Sequence, residues 1–191
     1  MLAEIKAAET DVVLVDETGN PVGHQDKLIA HRLGQLHLAV SVFVFDHAQR
    51  LLLQRRADPK YHSGGLWSNT ACTHPQPAES VLDAARRCLH DEMGLKCALR
   101  RAGQLTYRCP VGNGLVEYEY DILFTGIFEG DPHPNPAEVS DWRWLGAAEA
   151  RRDADASPAL YSAWFALAFD ALRKPRNLIS RASSDDVHAG S

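Results

Sequence analysis

The sequence predicts an α/β protein of one domain, an α/β/α sandwich in which helices cover both faces of a mixed β-sheet. Three observations predict this architecture. The run His37–Phe45 is almost wholly apolar and rich in β-branched residues, which is typical of a strand buried on both faces. The segment Pro77–Met93 carries apolar residues at helical spacing, with strand-like segments before and after it. Two more helical segments come late in the chain, so helices are available for both faces.

The elements before the central helix follow from local patterns. Val12–Asp16 is a short apolar run followed by turn residues, which predicts a strand and a tight turn. Lys27–His31 is expected to be a short connecting segment. After His37–Phe45 and a turn, Leu51–Arg56 is expected to return as its hairpin partner, and a loop with the pair Gly64-Gly65 follows.

The central helix is expected to span Pro77–Met93, with Glu79 in its first turn and Gly94 ending it. The later strands and helices are predicted from alternating and helical patterns respectively: strands at Gly103–Cys109, Gly114–Phe128 and Asp141–Leu145, then helices around Ala147–Arg152 and Ala159–Leu172.

The bulk composition narrows the class of protein. The chain has 191 residues, 45% hydrophobic and 24% charged, which suits one domain with a sizeable core. Its net charge of −5 gives no reason to expect nucleic acid or an anionic membrane as a partner. No apolar run approaches the roughly 20 residues of a membrane span, and no secretory apolar segment opens the chain. We therefore expect a cytoplasmic protein.

Composition also sets the expected boundaries. Residues 1–10 are expected to form a leader, residues 11–173 the folded domain, and the polar residues 174–191 a disordered tail. The chain has four cysteines and no CxxC pair, so we expect reduced thiols at Cys72, Cys88, Cys97 and Cys109.

Three histidines and two glutamates are candidate metal ligands. His37 opens a buried strand, His31 lies shortly before it, and His74 precedes a proline. Glu117 and Glu119 are two residues apart on a predicted strand, so their side chains share a face. If that strand is central, two buried carboxylates need a cation between them. The alternatives are exposed histidines and a solvated edge strand.

A site built from these five residues would present nitrogen and oxygen ligands and leave one coordination position open. Such a set suits Mn²⁺, Zn²⁺, Mg²⁺ or Fe²⁺, and the spacing does not rank them.

Cys72 is a candidate for acid–base chemistry. It lies two residues before His74, in a polar segment that leads into the central helix. A helix N-terminus lowers a thiol pKa, so we expect an activated thiol. The alternative is a small buried hydrophobe, which is how free cysteines usually behave.

A basic cluster at Arg55, Arg56 and Lys60, with Lys27 as a possible fourth member, is a candidate anion clamp. Arginine and lysine side chains are the usual ligands of phosphates, so we expect a diphosphate there. A solvated basic loop is the alternative.

The central helix resembles the Nudix box, G-x5-E-x7-R-E-U-x-E-E-x-G-U. Seven residues fall in register with it: Glu79, Arg87, Leu89, Asp91, Glu92, Gly94 and Leu95. Thr73 replaces the first glycine, Cys88 the first glutamate of the acidic run, and Asp91 the second. These changes weaken the reading as a Nudix pyrophosphohydrolase, which remains an alternative, as does a catalytically silent Nudix-fold binding module.

The wider sequence resembles the type 1 isopentenyl-diphosphate Δ-isomerases, a branch of the Nudix superfamily, from about Thr10 to Leu172. The motifs that carry the resemblance occur in order along the chain: Lys27-Leu28-Ile29-Ala30-His31, Leu36-His37-Leu38-Ala39, Arg55-Arg56-Ala57, Leu66-Trp67-Ser68-Asn69, Cys72-Thr73-His74-Pro75, Thr106-Tyr107-Arg108 and Val116-Glu117-Tyr118-Glu119. The segment Tyr61–Gly65 departs from the family because it lacks a tryptophan and a proline often seen there.

The resemblance implies a Nudix-like α/β/α sandwich and an enzyme of isoprenoid biosynthesis that interconverts isopentenyl diphosphate and dimethylallyl diphosphate. The substrate would be a small diphosphate, and the oligomeric state, monomer or homodimer, stays open. One divalent metal (Mn, Zn or Mg) would be held by His31, His37, His74, Glu117 and Glu119. One Mg²⁺ bridging the substrate diphosphate would be held by Glu92 and the carbonyl of Cys72.

The resemblance also implies the roles of the remaining site residues. Lys27, Arg56 and Lys60 would bind the diphosphate, and Trp164 would line the hydrocarbon pocket. Cys72 and Glu119 would transfer protons on opposite faces of the alkene, Glu119 as acid with help from Tyr107 and Cys72 as base.

Overall fold

The computed structural model describes residues 11–173, so the expected leader (1–10) and tail (174–191) lie outside the described residues. Nine strands occur within this range: β1 (Val12–Val15), β2 (Pro21–Gln25), β3 (His37–Phe45), β4 (Arg50–Arg56), β5 (Trp67–Ser68), β6 (Ala71–Thr73), β7 (Leu99–Gly112), β8 (Leu115–Ile127) and β9 (Val139–Gly146). The helices are α1 (Lys27–Leu33), α2 (Val81–Met93), α3 (Ala147–Ala156) and α4 (Phe165–Arg173), with a 3₁₀ turn at Pro158–Leu160.

Strand β3 lies at the centre of a mixed sheet. It runs parallel to β8 from His37↔Glu119 to Phe45↔Ile127 and antiparallel to β6, where Ser41 lies opposite Cys72. Strand β7 pairs antiparallel with β8 along almost its full length, while β4 pairs with β9 and β5. Strand β3 therefore brings residues of β6 and β8 to its two sides.

Two apolar cores, one on each face of the sheet, confirm the predicted sandwich. On one face, Val40 and Val42 of β3 pack in a cluster with Leu89 and Met93 of α2. On the other face, Phe43 packs in a cluster with residues of β4, α3 and α4. The prediction that His37–Phe45 is buried on both faces is confirmed, since side chains alternate along a strand. Among the described residues, no helix is long and apolar enough to cross a bilayer.

The central helix begins at Val81, so the expected start at Pro77 is wrong. Ser80 has an extended backbone and its hydroxyl accepts from the amide of Asp83, which makes it the N-cap. Glu79 therefore precedes the helix rather than lying in its first turn. The predicted end is confirmed, because Gly94 takes a left-handed conformation and caps the last turn.

Three other expectations are also corrected. The segment expected to be a connection is helix α1, capped by Asp26 at its start and Gly34 at its end. Strand β4 meets β3 only where Phe45 lies opposite Leu51, and then it diverges to pair with β9. Strands β2, β5 and β6 were not predicted, because β5 and β6 have only two and three residues and β2, Pro21–Gln25, has no apolar alternation.

Candidate active site

The buried carboxylates of β8 lie beside the first residue of β3. Glu117 and Glu119 are 3% and 7% exposed, which rules out the solvated edge strand. Glu119 is paired with His37 across the two parallel strands. Helix α1 adds His31, whose ring lies 4.8 Å from that of His37, and the segment after β6 adds His74 at 4.9 Å from His37.

One ligand atom from each of five side chains lies within 4.8 Å of all the others: His31, His37, His74, Glu117 and Glu119. The histidines of α1 and β3 are oriented by backbone carbonyls. His31 Nδ1 lies 2.6 Å from the oxygen of Lys27, and His37 Nδ1 lies 2.8 Å from that of Gln35. Because a carbonyl accepts, each Nδ1 is the donor, and in the neutral rings the lone pair is on Nε2.

Two buried atoms in this cluster have no hydrogen-bond partner, His37 Nε2 and Glu117 Oε2. His31 Nε2 lies 3.2 Å from Glu117 Oε2, so two acceptors face each other whenever the ring is neutral. Burial lowers the pKa of His31, but the Glu117 carboxylate, which attracts and accepts from the protonated ring, outweighs burial and raises that pKa. A cluster that draws a proton in this way has a donor set that fits a divalent cation.

Glu119 links this cluster to a tyrosine and a histidine. Its Oε1 lies 2.9 Å from His74 Nε2, and its Oε2 accepts a 2.5 Å hydrogen bond from the Tyr107 hydroxyl. Burial lowers the pKa of His74 to about 3, so its ring is neutral and can coordinate a metal. Burial also raises the pKa of Tyr107, which keeps the phenol protonated.

A cavity of about 270 Å³ opens beside the cluster. Of the site residues expected from the sequence, only His31 and His37 are fully buried and do not line it. The others line it: Lys27, Arg56, Lys60, Cys72, His74, Glu92, Tyr107, Glu117, Glu119 and Trp164.

Cys72 lies on β6 rather than at a helix N-terminus, because α2 begins only at Val81. The expectation of a lowered thiol pKa is wrong. Burial, with the charge of Glu92, raises the pKa of Cys72 against the opposing effect of Arg56. The thiol therefore holds its proton, and Arg56 Nη1 lies 3.9 Å from its sulfur.

The basic side chains lie along one wall of the cavity. Arg56 is 6% exposed and its guanidinium lies 5.3 Å from the ring centre of Trp164. Lys27 lies 4.7 Å from the ring centre of Tyr61, and burial lowers the pKa of that lysine. Lys60 forms an ion pair with Glu138. The solvated-loop alternative is excluded for Arg56, while Arg55 is exposed and lies outside the cavity lining.

The residues in register with the Nudix box have two kinds of role. Arg87 forms a paired interaction with Glu79, at 2.7 and 2.8 Å, which ties the helix to the segment before it. Glu92 faces the cavity, where its Oε2 accepts from Gln54 at 2.8 Å. Burial raises the pKa of Glu92 despite that hydrogen bond.

Several cavity residues were missed from the sequence, and two of them, His62 and Glu138, contact residues of the proposed site. His62 is buried and its Nε2 lies 2.8 Å from Glu117 Oε1, yet it lies in a loop whose pattern gives no sign of burial. Glu138 follows a proline-rich segment and reaches Lys60 only through the tertiary fold. One sign of His62 was present in the sequence, its position two residues after Lys60 of the basic cluster.

Comparison with known proteins gives a family match. The model of the NUDIX domain family matches residues 35–165. The chain is 49% identical over 170 residues to isopentenyl-diphosphate Delta-isomerase 2 of Aromatoleum aromaticum, covering 89% of this chain and 90% of that relative. It is 48% identical over 160 residues to the isopentenyl-diphosphate Delta-isomerase of Pectobacterium atrosepticum, covering 84% and 89% of the two chains.

A solved structure supports the fold. The crystal structure of DR0079 from Deinococcus radiodurans superposes with a TM-score of 0.73 at 17% identity, covering 86% of this chain and 99% of that one. At this level of identity the similarity concerns the fold alone.

Proposed function

Since the chain belongs to the NUDIX family and, within it, to the isopentenyl-diphosphate Delta-isomerases, we propose that its buried histidine–carboxylate cluster and the adjoining cavity form the active site. The protein is an enzyme that interconverts isopentenyl diphosphate and dimethylallyl diphosphate in isoprenoid biosynthesis. The observation that carries the site assignment is the set of five converging ligand atoms, two of them buried without a partner.

The reaction moves a carbon–carbon double bond by one position. One proton is added to a terminal alkene carbon and another is removed two carbons away, so atoms and charge balance without a redox step. The intermediate is a tertiary carbocation. The site must therefore hold the diphosphate, supply a donor and an acceptor of protons, and keep water from the cation.

The metal-binding part of the proposal assigns five protein ligands to one divalent cation, Mn²⁺, Zn²⁺ or Mg²⁺: His31, His37, His74, Glu117 and Glu119. When bound, the metal would fix the Glu119 carboxylate and tune its basicity. The carbonyls of Lys27 and Gln35 hold the two anchored imidazoles in the orientation that this requires.

The diphosphate-binding part assigns Arg56, Lys60 and Lys27 to the substrate anion. All three line the cavity, and Arg56 is held between the Cys72 sulfur and the Trp164 ring. Glu92 and the carbonyl of Cys72 would hold a Mg²⁺ that bridges the diphosphate. This assignment is supported by a buried carboxylate on the same cavity wall.

The proton-transfer part assigns Cys72 and Glu119, with Tyr107 beside Glu119. The two residues stand on strands β6 and β8, on opposite sides of β3, so an alkene between them would meet one group on each face. One of the two donates a proton while the other accepts one. Trp164, 3% exposed and oriented by Asn69, would stabilise the cation by about 2 kcal/mol or more once water is excluded.

We also propose that the protein acts in the cytoplasm. The four cysteines are free thiols in the structure. A reducing compartment keeps such thiols from oxidation, and the proposed role of Cys72 requires a thiol.

The test is an assay of the purified protein with Mn²⁺, Mg²⁺ and isopentenyl diphosphate, following dimethylallyl diphosphate and free phosphate together. Cys72→Ala is expected to lower turnover at least about 10²–10⁴-fold, because it removes an acid–base group. Cys97→Ala, which lies outside the cavity lining, is the matched control and should retain activity. Release of phosphate or pyrophosphate that does not depend on Cys72 would overturn the proposed function in favour of a hydrolase.

A further inference from the structure

His62 lies where the metal cluster, the aromatic wall and the diphosphate clamp meet. It is 4% exposed, although it comes from the loop between β4 and β5. The loop closes tightly, since a Cβ on Gly64 would lie 2.4 Å from the carbonyl oxygen of Asp58. His62 lies two residues before Gly64 and lines the cavity.

The ring of His62 is hydrogen-bonded at both nitrogens. Its Nε2 lies 2.8 Å from Glu117 Oε1, and its Nδ1 lies 3.1 Å from the Ser63 hydroxyl. A carboxylate oxygen accepts only, so Nε2 is the donor, and in the neutral ring Nδ1 accepts from Ser63. The Glu117 carboxylate of β8 therefore fixes the tautomer of the ring, and the Ser63 hydroxyl follows it.

The hydrogen bond from His62 gives the two oxygens of Glu117 different surroundings. Oε1 accepts from His62, while Oε2 has no hydrogen-bond partner and faces His31 Nε2 at 3.2 Å. The free oxygen is the one turned toward the cluster. His62 itself is not among the five side chains whose ligand atoms converge, because its Nε2 is directed at the carboxylate.

His62 also contacts the other two parts of the cavity. Its ring meets Trp164 edge-on, with centroids 5.8 Å apart and planes at 83°. Its backbone carbonyl accepts from Arg56 Nη2 at 3.4 Å. One residue thus joins Glu117, Trp164 and Arg56.

We propose that His62 is a positioning residue, which holds Glu117 so that Oε2 is presented to the metal and which braces Trp164 from the side. This inference rests on the proposed function of the cluster as a metal site. Because His62 orients a metal ligand and is not itself a reacting group, replacing His62 should first change the affinity for the metal. Partners that orient metal ligands typically contribute 10–100-fold to affinity or activity.

The experiment measures Mn²⁺ binding to the chelator-treated protein by calorimetry or electron paramagnetic resonance, with circular dichroism to confirm folding. His62→Leu, which fills the site with an apolar side chain and removes the hydrogen-bond donor, is expected to weaken Mn²⁺ binding about 10–100-fold. His62→Gln has an amide nitrogen that can donate to Glu117 and should recover most of that loss. His47→Leu is the control, because His47 also faces a glutamate, Glu129 at 3.9 Å, but on the exposed surface.

Three outcomes decide the matter. Wild-type Mn²⁺ affinity in folded His62→Leu would overturn the positioning role. Equal loss in His62→Leu and His62→Gln would overturn the hydrogen-bond basis for it. A protein that forms no dimethylallyl diphosphate but still shows the expected order of Mn²⁺ affinities would overturn the proposed function and support the role of His62.

Discussion

Glu119 has a different partner on each carboxylate oxygen, so one oxygen can face the proposed metal cluster while the other takes part in proton transfer. Oε1 faces His74 and the other cluster ligands, while Oε2 accepts from Tyr107. In the proposed mechanism Oε2 would carry the transferred proton with Tyr107 assisting it, while Oε1 faces the proposed metal ligands. Replacing Tyr107 would therefore disturb proton transfer before it disturbs the cluster.

Arg56 gives a prediction about substrate binding. Arg56→Ala should raise KM more than it lowers kcat, because the diphosphate is bound in both the ground state and the transition state. Steady-state kinetics with isopentenyl diphosphate measures this split. Arg55→Ala is the matched control, since the neighbouring side chain is exposed. A large fall in kcat at unchanged KM would contradict the clamp role.

Asp16 gives a prediction about pH. Hydrogen bonds, first from the Thr18 side chain and then from the Asn20 amide, lower the pKa of Asp16 to about 2 from its ordinary 3.8. A lowered carboxyl pKa stabilises the fold above pH 3.8, and this contribution is lost as pH falls toward about 2. Asp16→Asn should therefore flatten this part of the stability curve.

Urea unfolding of the metal-free protein between pH 2 and 5, about the range of the two pKa values, measures the effect of Asp16→Asn. Asp11→Asn, at an exposed position near the start of β1, is the control. Identical acid dependence in wild type and Asp16→Asn would contradict the assignment.

At the scale of the elements, the start and end of helix α2 determine where the Nudix-box residues lie. Ser80 starts it and Gly94 ends it, so Glu92 falls on the last buried turn, facing the cavity, while Arg87 reaches back to Glu79. The sequence pattern showed the helix but placed its start too early, because Pro77 and Glu79 suit a first turn as well as the segment before one. The capping hydrogen bond of Ser80 shows that the helix starts at Val81 and not at Pro77.

Gly94 gives a prediction about that element. Its φ is +67°, and a Cβ there would lie 2.4 Å from the carbonyl oxygen of His133. Gly94→Ala should lower the free energy of unfolding by more than the roughly 1–2 kcal/mol of a left-handed alanine, because the clash adds to it. Gly114→Ala is the matched control, with φ +72° and nothing within 4 Å.

Denaturant unfolding of the Gly94→Ala and Gly114→Ala variants measures the difference between them. Equal losses would mean that the backbone at Gly94 moves away from His133 at no cost, and the close contact would then have no role in fixing the end of α2.

At the scale of the whole molecule, the proposed metal cluster draws on residues far apart in sequence. Its ligands come from α1, β3, the segment after β6 and β8, so folding must bring four parts of the chain together. Buried like charges at Glu117 and Glu119 oppose this convergence. A cation bound only by the folded protein would offset that cost.

Metal removal gives the corresponding prediction. Saturating Mn²⁺ at 100 times Kd should stabilise the fold by about 2.7 kcal/mol, which raises Tm by about 5–10 °C for a domain of this size. Thermal unfolding with and without chelator measures the shift. His37→Gln, which replaces a ligand, should reduce the difference. An equal Mn²⁺ shift in that variant would contradict the assignment of the cluster.

The sequence by itself determined the class of fold and the central strand, and it indicated which residues the structure brings together at the cavity. A buried run such as His37–Phe45 and an amphipathic helix are local patterns, and Glu117 and Glu119 share a face because strand geometry requires it. Strand β2 has no apolar alternation, and β5 and β6 have too few residues to show one. Cys72 was assigned to the wrong environment for that reason.

Only the tertiary structure decided what surrounds each side chain. The raised pKa of Cys72 comes from burial and from the charge of Glu92, with Arg56 opposing both, and these two charged residues are distant from Cys72 in sequence. The burial of His62 against Glu117 and Trp164 depends on a loop closing over a strand and a helix-flanking segment. Desolvation and hydrogen bonding act through space, so local spacing indicated candidate ligands but could not supply the groups that surround them.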